Sequence, residues 1–245
     1  MPFRRFVAWF LLSALVIPIA GCVYLRLLEV KRQLADFEKY CSLENRDALV
    51  VIFHKPVLLK DDILLLARRG PTLAEDGPKK SLWQYHFVKQ YLPHQEEEKG
   101  RYDVPVRLFF EENKMYGGTL PEAFYHLMPR AFLIEAIRAI GRSRVNPVKR
   151  HAKGEFYESR VKLETPLPKK QDFLRLLGRP YSEEDKEGTS TLTFVYRLQR
   201  GKLDRKPQTD AWARLTFLKG EENLTQIEAK FAGLGLSLSL RKGAM

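Results

Sequence analysis

The residues best suited to nucleophilic or metal chemistry are two cysteines, Cys22 and Cys41, and five histidines, His54, His86, His94, His126 and His151. The cysteines form no CxxC, and no Cys/His cluster has the spacing of a zinc site. The histidines are scattered without metal-ligand spacing, so no metal and no cofactor are expected. His86 alternates with Tyr85 and Phe87 and reads as a solvent-facing strand residue, while His54-Lys55-Pro56 reads as a turn. No Gly-x-Ser-x-Gly elbow, P-loop, GxGxxG, HExxH or EF-hand loop occurs. Glu96-Glu97-Glu98, Glu183-Glu184-Asp185 and Glu221-Glu222 read as solvated acidic turns without a frame to hold a cation. Cys41 reads as a buried thiol with no chemical role. Cys22 is different. Two small residues, Ala20 and Gly21, precede it.

The element that positions Cys22 has the layout of an export signal. Arg4 and Arg5 are followed by an uncharged apolar run from Phe6 to Ile19. Ile19-Ala20-Gly21-Cys22 resembles the lipobox of bacterial lipoproteins (an aliphatic residue, a small one, Gly or Ala, then Cys). The resemblance implies lipidation of the Cys22 thiol, cleavage after Gly21 and acylation of the new amino terminus. It also implies the outer membrane, because Val23 stands where an inner-membrane retention Asp would stand in enterobacteria. A second reading stays open. Apolarity continues through Val23, Tyr24, Leu25, Leu27 and Leu28, so the segment is long enough to be kept as a spanning anchor of about 20 residues. Both readings keep Arg4 and Arg5 inside and place the remainder outside the cytoplasm.

The formal charge is +12, and removing residues 1–21 takes away only Arg4 and Arg5, leaving 40 basic against 30 acidic residues, or +10. Such an excess either favours anionic partners or serves only solubility, with no specific partner. Export removes nucleic acid from the list and leaves lipid headgroups or an acidic protein.

Behind the anchor, residues 22–44 read as a membrane-proximal helix. Leu27, Val30, Leu34, Phe37 and Tyr40 or Cys41 recur at spacings of three and four, opposite Lys31, Arg32, Asp36 and Lys39. Such a helix either packs on the following domain or lies on headgroups.

The remainder carries a weak duplication. Pro56-Val57-Leu58-Leu59-Lys60-Asp61-Asp62-Ile63-Leu64 aligns with Pro166-Leu167-Pro168-Lys169-Lys170-Gln171-Asp172-Phe173-Leu174. A strand-like run precedes each copy, at 50–53 and 160–163. Each copy predicts a short helix with a Gly/Pro stop, at Gly70-Pro71 and at Gly178-Arg179-Pro180, the glycine supplying the left-handed residue. Alternating aromatic strands follow, at 82–88 and 106–110 in the first copy and at 192–198 and 213–217 in the second. A further strand is expected at 225–231, with Lys114 to Tyr116 as its shortened counterpart. The expectation is an α+β protein of two repeated helix-plus-antiparallel-meander modules, at 45–118 and 155–245. Joining them, at 119–154, is a helix capped by Thr119, with Pro121 and Glu122 in its first turn and Gly141 at its end. It is followed by a basic loop carrying Arg142, Arg144, Lys149, Arg150 and Lys153 as candidate contacts to anionic lipid headgroups.

The order helix, Leu-Gly-x-Pro, loop, aromatic strand, hairpin resembles the SmpA/OmlA family, also called BamE-like. Gln171-Asp172-Phe173-Leu174-Arg175-Leu176-Leu177-Gly178-Arg179-Pro180 carries the resemblance, and Arg68-Arg69-Gly70-Pro71 departs from it. The resemblance implies a lipid-anchored, non-catalytic scaffold or partner-binding role at the periplasmic face of the outer membrane, with an envelope protein as partner. The alternative is a signal-anchored periplasmic enzyme, hydrolase-like, whose site is assembled from scattered residues.

Overall fold

The computed structural model describes residues 23–45, 48–92, 100–120, 125, 128–146, 150–157, 167–199, 211–231 and 234–241. Helix α1 covers residues 23–35, breaks at Asp36 and resumes for one turn as α2 (Phe37–Tyr40). Strand β1 (Cys41–Asn45) starts at once, so the helix expected to reach residue 44 stops earlier. The reason is a change of period. Cys41 and Leu43 are buried while Ser42 and Glu44 are half-exposed, which is the alternation of a strand with one covered face.

The chain continues through β2 (Leu49–Phe53), α3 (Lys60–Ala67), β3 (Leu73–Asp76), β4 (Lys80–Lys89), β5 (Val104–Glu111) and β6 (Lys114–Thr119). After α4 (Arg130–Arg142) come β7 (Arg144–Asn146), β8 (His151–Tyr157), α5 (Lys170–Leu177), β9 (Ser182–Lys186) and β10 (Thr189–Leu198). Strands β11 (Ala211–Leu218), β12 (Leu224–Phe231) and β13 (Leu234–Arg241) complete it. The architecture is α+β, and its strands belong to one 13-stranded sheet, antiparallel except where β13 runs parallel to β8. Its order is β1-β2-β6-β5-β4-β10-β11-β12-β13-β8-β7, with β3 added to β4 and β9 to β10.

The expected strands at 82–88, 106–110, 192–198, 213–217 and 225–231 are the cores of β4, β5, β10, β11 and β12. Their alternation is that of a sheet with one covered face. Trp83, Tyr85, Phe87 and Lys89 are buried along β4, and Leu192, Phe194, Tyr196 and Leu198 along β10. Strands β4 and β10 join at their ends. Val88 sits opposite Arg197, Phe87 opposite Leu198 and Lys89 opposite Tyr196. Gln90 N donates to Val195 O and Gln199 N to His86 O, both at about 2.8 Å and 2.7 Å respectively. A shift of 109 positions turns the first of these bonds into the second, so the seam has local two-fold symmetry. Beyond it the sheet is not symmetric. Strand β2 flanks β6 on one side, whereas β13 flanks β12 on the other and β8 lies outside it. The strand expected at 160–163 lies outside the described residues.

Helix α4 corrects two boundaries. Thr119 is the last residue of β6, and its Oγ1 accepts the Arg107 N–H at 2.9 Å rather than capping a helix. The described helix starts after Pro129, which has no N–H to leave unpaired at that end, and runs through Gly141 to Arg142. Gly141 is needed inside the helix because a Cβ there would strike the backbone of Ala35 in α1. Pro121 and Glu122 lie outside the described residues. The basic segment after α4 is not a loop, since β7 and β8 pair across it, and β8 runs across the expected boundary at 154/155.

Helix α4 also ties the distant ends of the sheet together. Arg130 Nη2 donates to Leu43 O in β1 at 2.8 Å, while Phe132 packs on Phe156 in β8 with ring centroids 4.7 Å apart. The sheet therefore curls. On its inner face Phe231 of β12 reaches Phe87 of β4 at 4.8 Å, and Phe173 of α5 meets Phe217 at 5.5 Å.

Candidate functional site

Helix α1 is held to the body by polar contacts that the sequence did not announce. Asp62, in the first turn of α3, accepts a two-pronged bond from Arg26, Nε to Oδ2 and Nη2 to Oδ1, both 2.6 Å. It also accepts the Leu59 N–H at 2.9 Å, closing the start of α3. Burial alone would raise the Asp62 pKa, but Arg26 and the Leu59 N–H outweigh it and hold the carboxyl below its ordinary 3.8. Two turns along α1, the fully buried Gln33 donates from Nε2 to Lys55 O at 2.9 Å. Of the two roles open to this helix, packing accounts for one face. The other face begins with Tyr24, Leu25 and Leu28, exposed by 48%, 64% and 41%, and turns charged at Arg32.

The candidate lipid-contact residues are divided by the fold. Arg142 is spent within α4, its Nη1 donating to Glu135 Oε1 at 2.9 Å. Arg144 and Lys153 face each other across the β7–β8 pair, both exposed, so two like charges stand side by side. Arg150, in left-handed backbone at φ 48, points elsewhere. Its Nη2 donates to Leu66 O, the exposed carbonyl end of α3, at 2.9 Å. Burial and then the neighbouring Arg68 charge lower its pKa from the usual guanidinium value. Lys149, and the lipobox residues Ile19, Ala20, Gly21 and Cys22, lie outside the described residues.

The second helix end is closed in the same way by the other half of the chain. Lys89 is buried and its Nζ donates to Leu177 O at the end of α5, with the Tyr102, Tyr91 and Phe194 rings 4.8 Å, 4.9 Å and 5.3 Å from the ammonium. Asp103 holds this corner, accepting from Lys89 N at 3.0 Å and lying 3.0 Å from the His86 ring. His86 is thus half-buried and partnered, not simply solvent-facing. The only hint in the sequence was a lysine at an inward position of an alternating strand. Cys41 is buried, and desolvation pushes its thiol up to about 11.

Chemically these groups close helix ends and strand ends. An open groove of about 480 Å³ lies elsewhere, lined by Glu75, Asp76, Lys80, Leu82, Phe109 and Tyr116. Among the described residues, no group of three or more His, Cys, Asp or Glu side chains is placed to hold a metal. No described helix is long and apolar enough to cross a membrane. No family model, curated protein or solved structure matches the chain.

Proposed function

We propose that the chain is an exported envelope protein anchored through a lipid on Cys22, with a non-catalytic role as a scaffold that binds an envelope protein at the periplasmic face of the outer membrane. Ile19-Ala20-Gly21-Cys22, closing an uncharged run behind Arg4 and Arg5, is the observation that carries this reading. The position of α1 supports it. The described part of this helix begins at Val23, next to Cys22, and is clamped to α3 through Arg26, so a lipid on Cys22 would hold the folded body close to the bilayer. The non-catalytic part rests on how the titratable side chains are used, since Lys89, Arg150 and Asp62 each complete a helix end.

The same proposal takes the two halves as repeated modules of SmpA/OmlA type. Asp62 and Asp172 close their helices through matching bonds to Leu59 N and Lys169 N, at 2.9 Å and 3.0 Å. Lys60 binds Asp76 and Ser81 as Lys170 binds Glu183 and Ser190. A bulge falls at Phe109/Phe110 in one meander and at Thr216/Phe217 in the other. These correspondences favour duplication, with β13, β8 and β7 as additions to the second copy.

Intact mass of the protein extracted from membranes, with Cys22→Ala as control, tests the anchor. The expected mass lacks residues 1–21 and carries acyl chains, and the variant loses both changes. A full-length, unmodified mass would make residues 6–28 a retained anchor, and the outer-membrane assignment would fall.

A further inference from the structure

Eight large apolar side chains stand exposed among the described residues: Tyr24, Leu25, Leu28, Leu64, Leu65, Leu73, Val145 and Tyr181. Five of the eight are on α1 and α3, the two helices locked together by Arg26 and Asp62. Scattered exposed leucines need no explanation, but a cluster on joined elements does. The Arg26–Asp62 pair lays α1 against α3, and each helix leaves apolar residues exposed, Tyr24, Leu25 and Leu28 on α1 and Leu64 and Leu65 on α3. Basic groups border those on α3. Arg68 follows Leu64 and Leu65 at helical spacing, and Arg150 reaches the end of α3 from the β7–β8 turn. Asp61 is the one exposed acid on that face of α3.

We infer that the outward sides of α1 and α3 form a single docking surface for an anionic lipid bilayer, inserting Tyr24, Leu25, Leu28, Leu64 and Leu65 beside the Arg68 and Arg150 charges. The inference rests on the membrane anchoring proposed above. The place where the chain enters the fold selects this occupant. Leu28 lies five residues beyond Val23, about 7.5 Å along the described helix, so a lipid on the adjoining Cys22 would keep the start of α1 at the headgroups. The decline in apolarity along the exposed stripe of α1, from Leu25 to Arg32, runs in the direction such contact requires. The expected lipid-contact surface thus includes Arg150 but is centred on α3 and not on the β7–β8 strands.

The test uses the mature protein extracted from membranes, carrying Leu65→Cys or Leu28→Cys labelled with a polarity-sensitive fluorophore. Cys41 is buried and its thiol poorly ionised, so the label reports the new site. The protein is reconstituted on phosphatidylcholine vesicles with and without phosphatidylglycerol, and flotation is read from the same samples. A blue shift at positions 65 and 28 on anionic vesicles is expected, with none at a Glu184→Cys control on β9 and a smaller shift when Arg68→Glu is added. Co-flotation with unchanged spectra at 65 and 28 would overturn the docking surface while leaving the anchor intact. Failure to float overturns both. An equal shift on neutral vesicles rejects the anionic bilayer, and a shift in native membranes alone assigns the surface to a protein instead.

Discussion

Helices α3 and α5 begin alike and end differently. Each opens with an aspartate that accepts the N–H three residues earlier, and each carries a lysine that reaches the following strand pair. Yet Asp62 is buried beneath α1, whereas Asp172 is half-exposed and its side-chain partner is Arg175 of its own helix. At the far end α3 stops at Arg68 in left-handed backbone with φ 55, and α5 stops at Gly178 with φ 68. The inward residue following the aspartate is Phe173 in α5, with no exposed surface, and the half-buried Ile63 in α3. Helix α5 is therefore fastened by its apolar face and α3 by what is laid over it. One local plan, differently covered, yields a core helix in one half and a surface-bearing helix in the other.

The largest expected contrast lies in the inward residue. Phe173→Ala removes a fully buried ring packed edge-on against Phe217 and should cost about 4 kcal/mol, against about 1–2 kcal/mol for Ile63→Ala. Equal losses in denaturant titrations would mean that both helices are packed to the same depth.

The aspartates come next. Asp62→Asn leaves the Arg26 guanidinium facing a neutral amide in a partly buried site and should cost roughly 2 kcal/mol, while Asp172→Asn should cost well under 1 kcal/mol. The pH dependence follows from the direction of the shift. Because the folded-state pKa of Asp62 is depressed, its contribution is full above the ordinary value of 3.8 and is lost as the pH falls through the lower folded value. The stability gap between wild type and Asp62→Asn should stay constant from neutral pH to about 4 and narrow only below that. A gap that closes near neutrality would exclude the carboxylate as its source.

The last contrast has opposite signs at the two helix ends. At Gly178 a Cβ would come within 2.5 Å of the Tyr102 ring in backbone that disfavours side chains, so Gly178→Ala should cost about 2 kcal/mol or more. Arg68→Gly relieves left-handed strain at an exposed position and should gain roughly 0.5 kcal/mol. Thermal unfolding of the two variants settles the sign.

The left-handed position at Gly178 was legible because a glycine stands where the helix must stop. The same position in α3 was misplaced to Gly70, since Gly70-Pro71 looks like the stop while Arg68, a residue that gives no such signal, takes the strain. Thr119 misled in the same fashion. A threonine before a proline has the local chemistry of a cap, but the Arg107 N–H of a neighbouring strand claimed its hydroxyl first. The basic segment read as a loop because its charges mask a hairpin held by backbone bonds.

The sequence by itself determined the alternating strands and the two short helices, because each is written in spacings of a few residues. It also determined that the class is α+β. Only the tertiary structure decided that β4 joins β10, that β8 lies parallel to β13, and that α4 draws the two ends of the sheet together. It alone placed Arg26 on Asp62, Arg150 on the end of α3 and Lys89 on the end of α5. Strand pairing uses backbone groups that every residue carries, and these cations act across 36, 84 and 88 positions of chain, distances over which side-chain type leaves no local pattern.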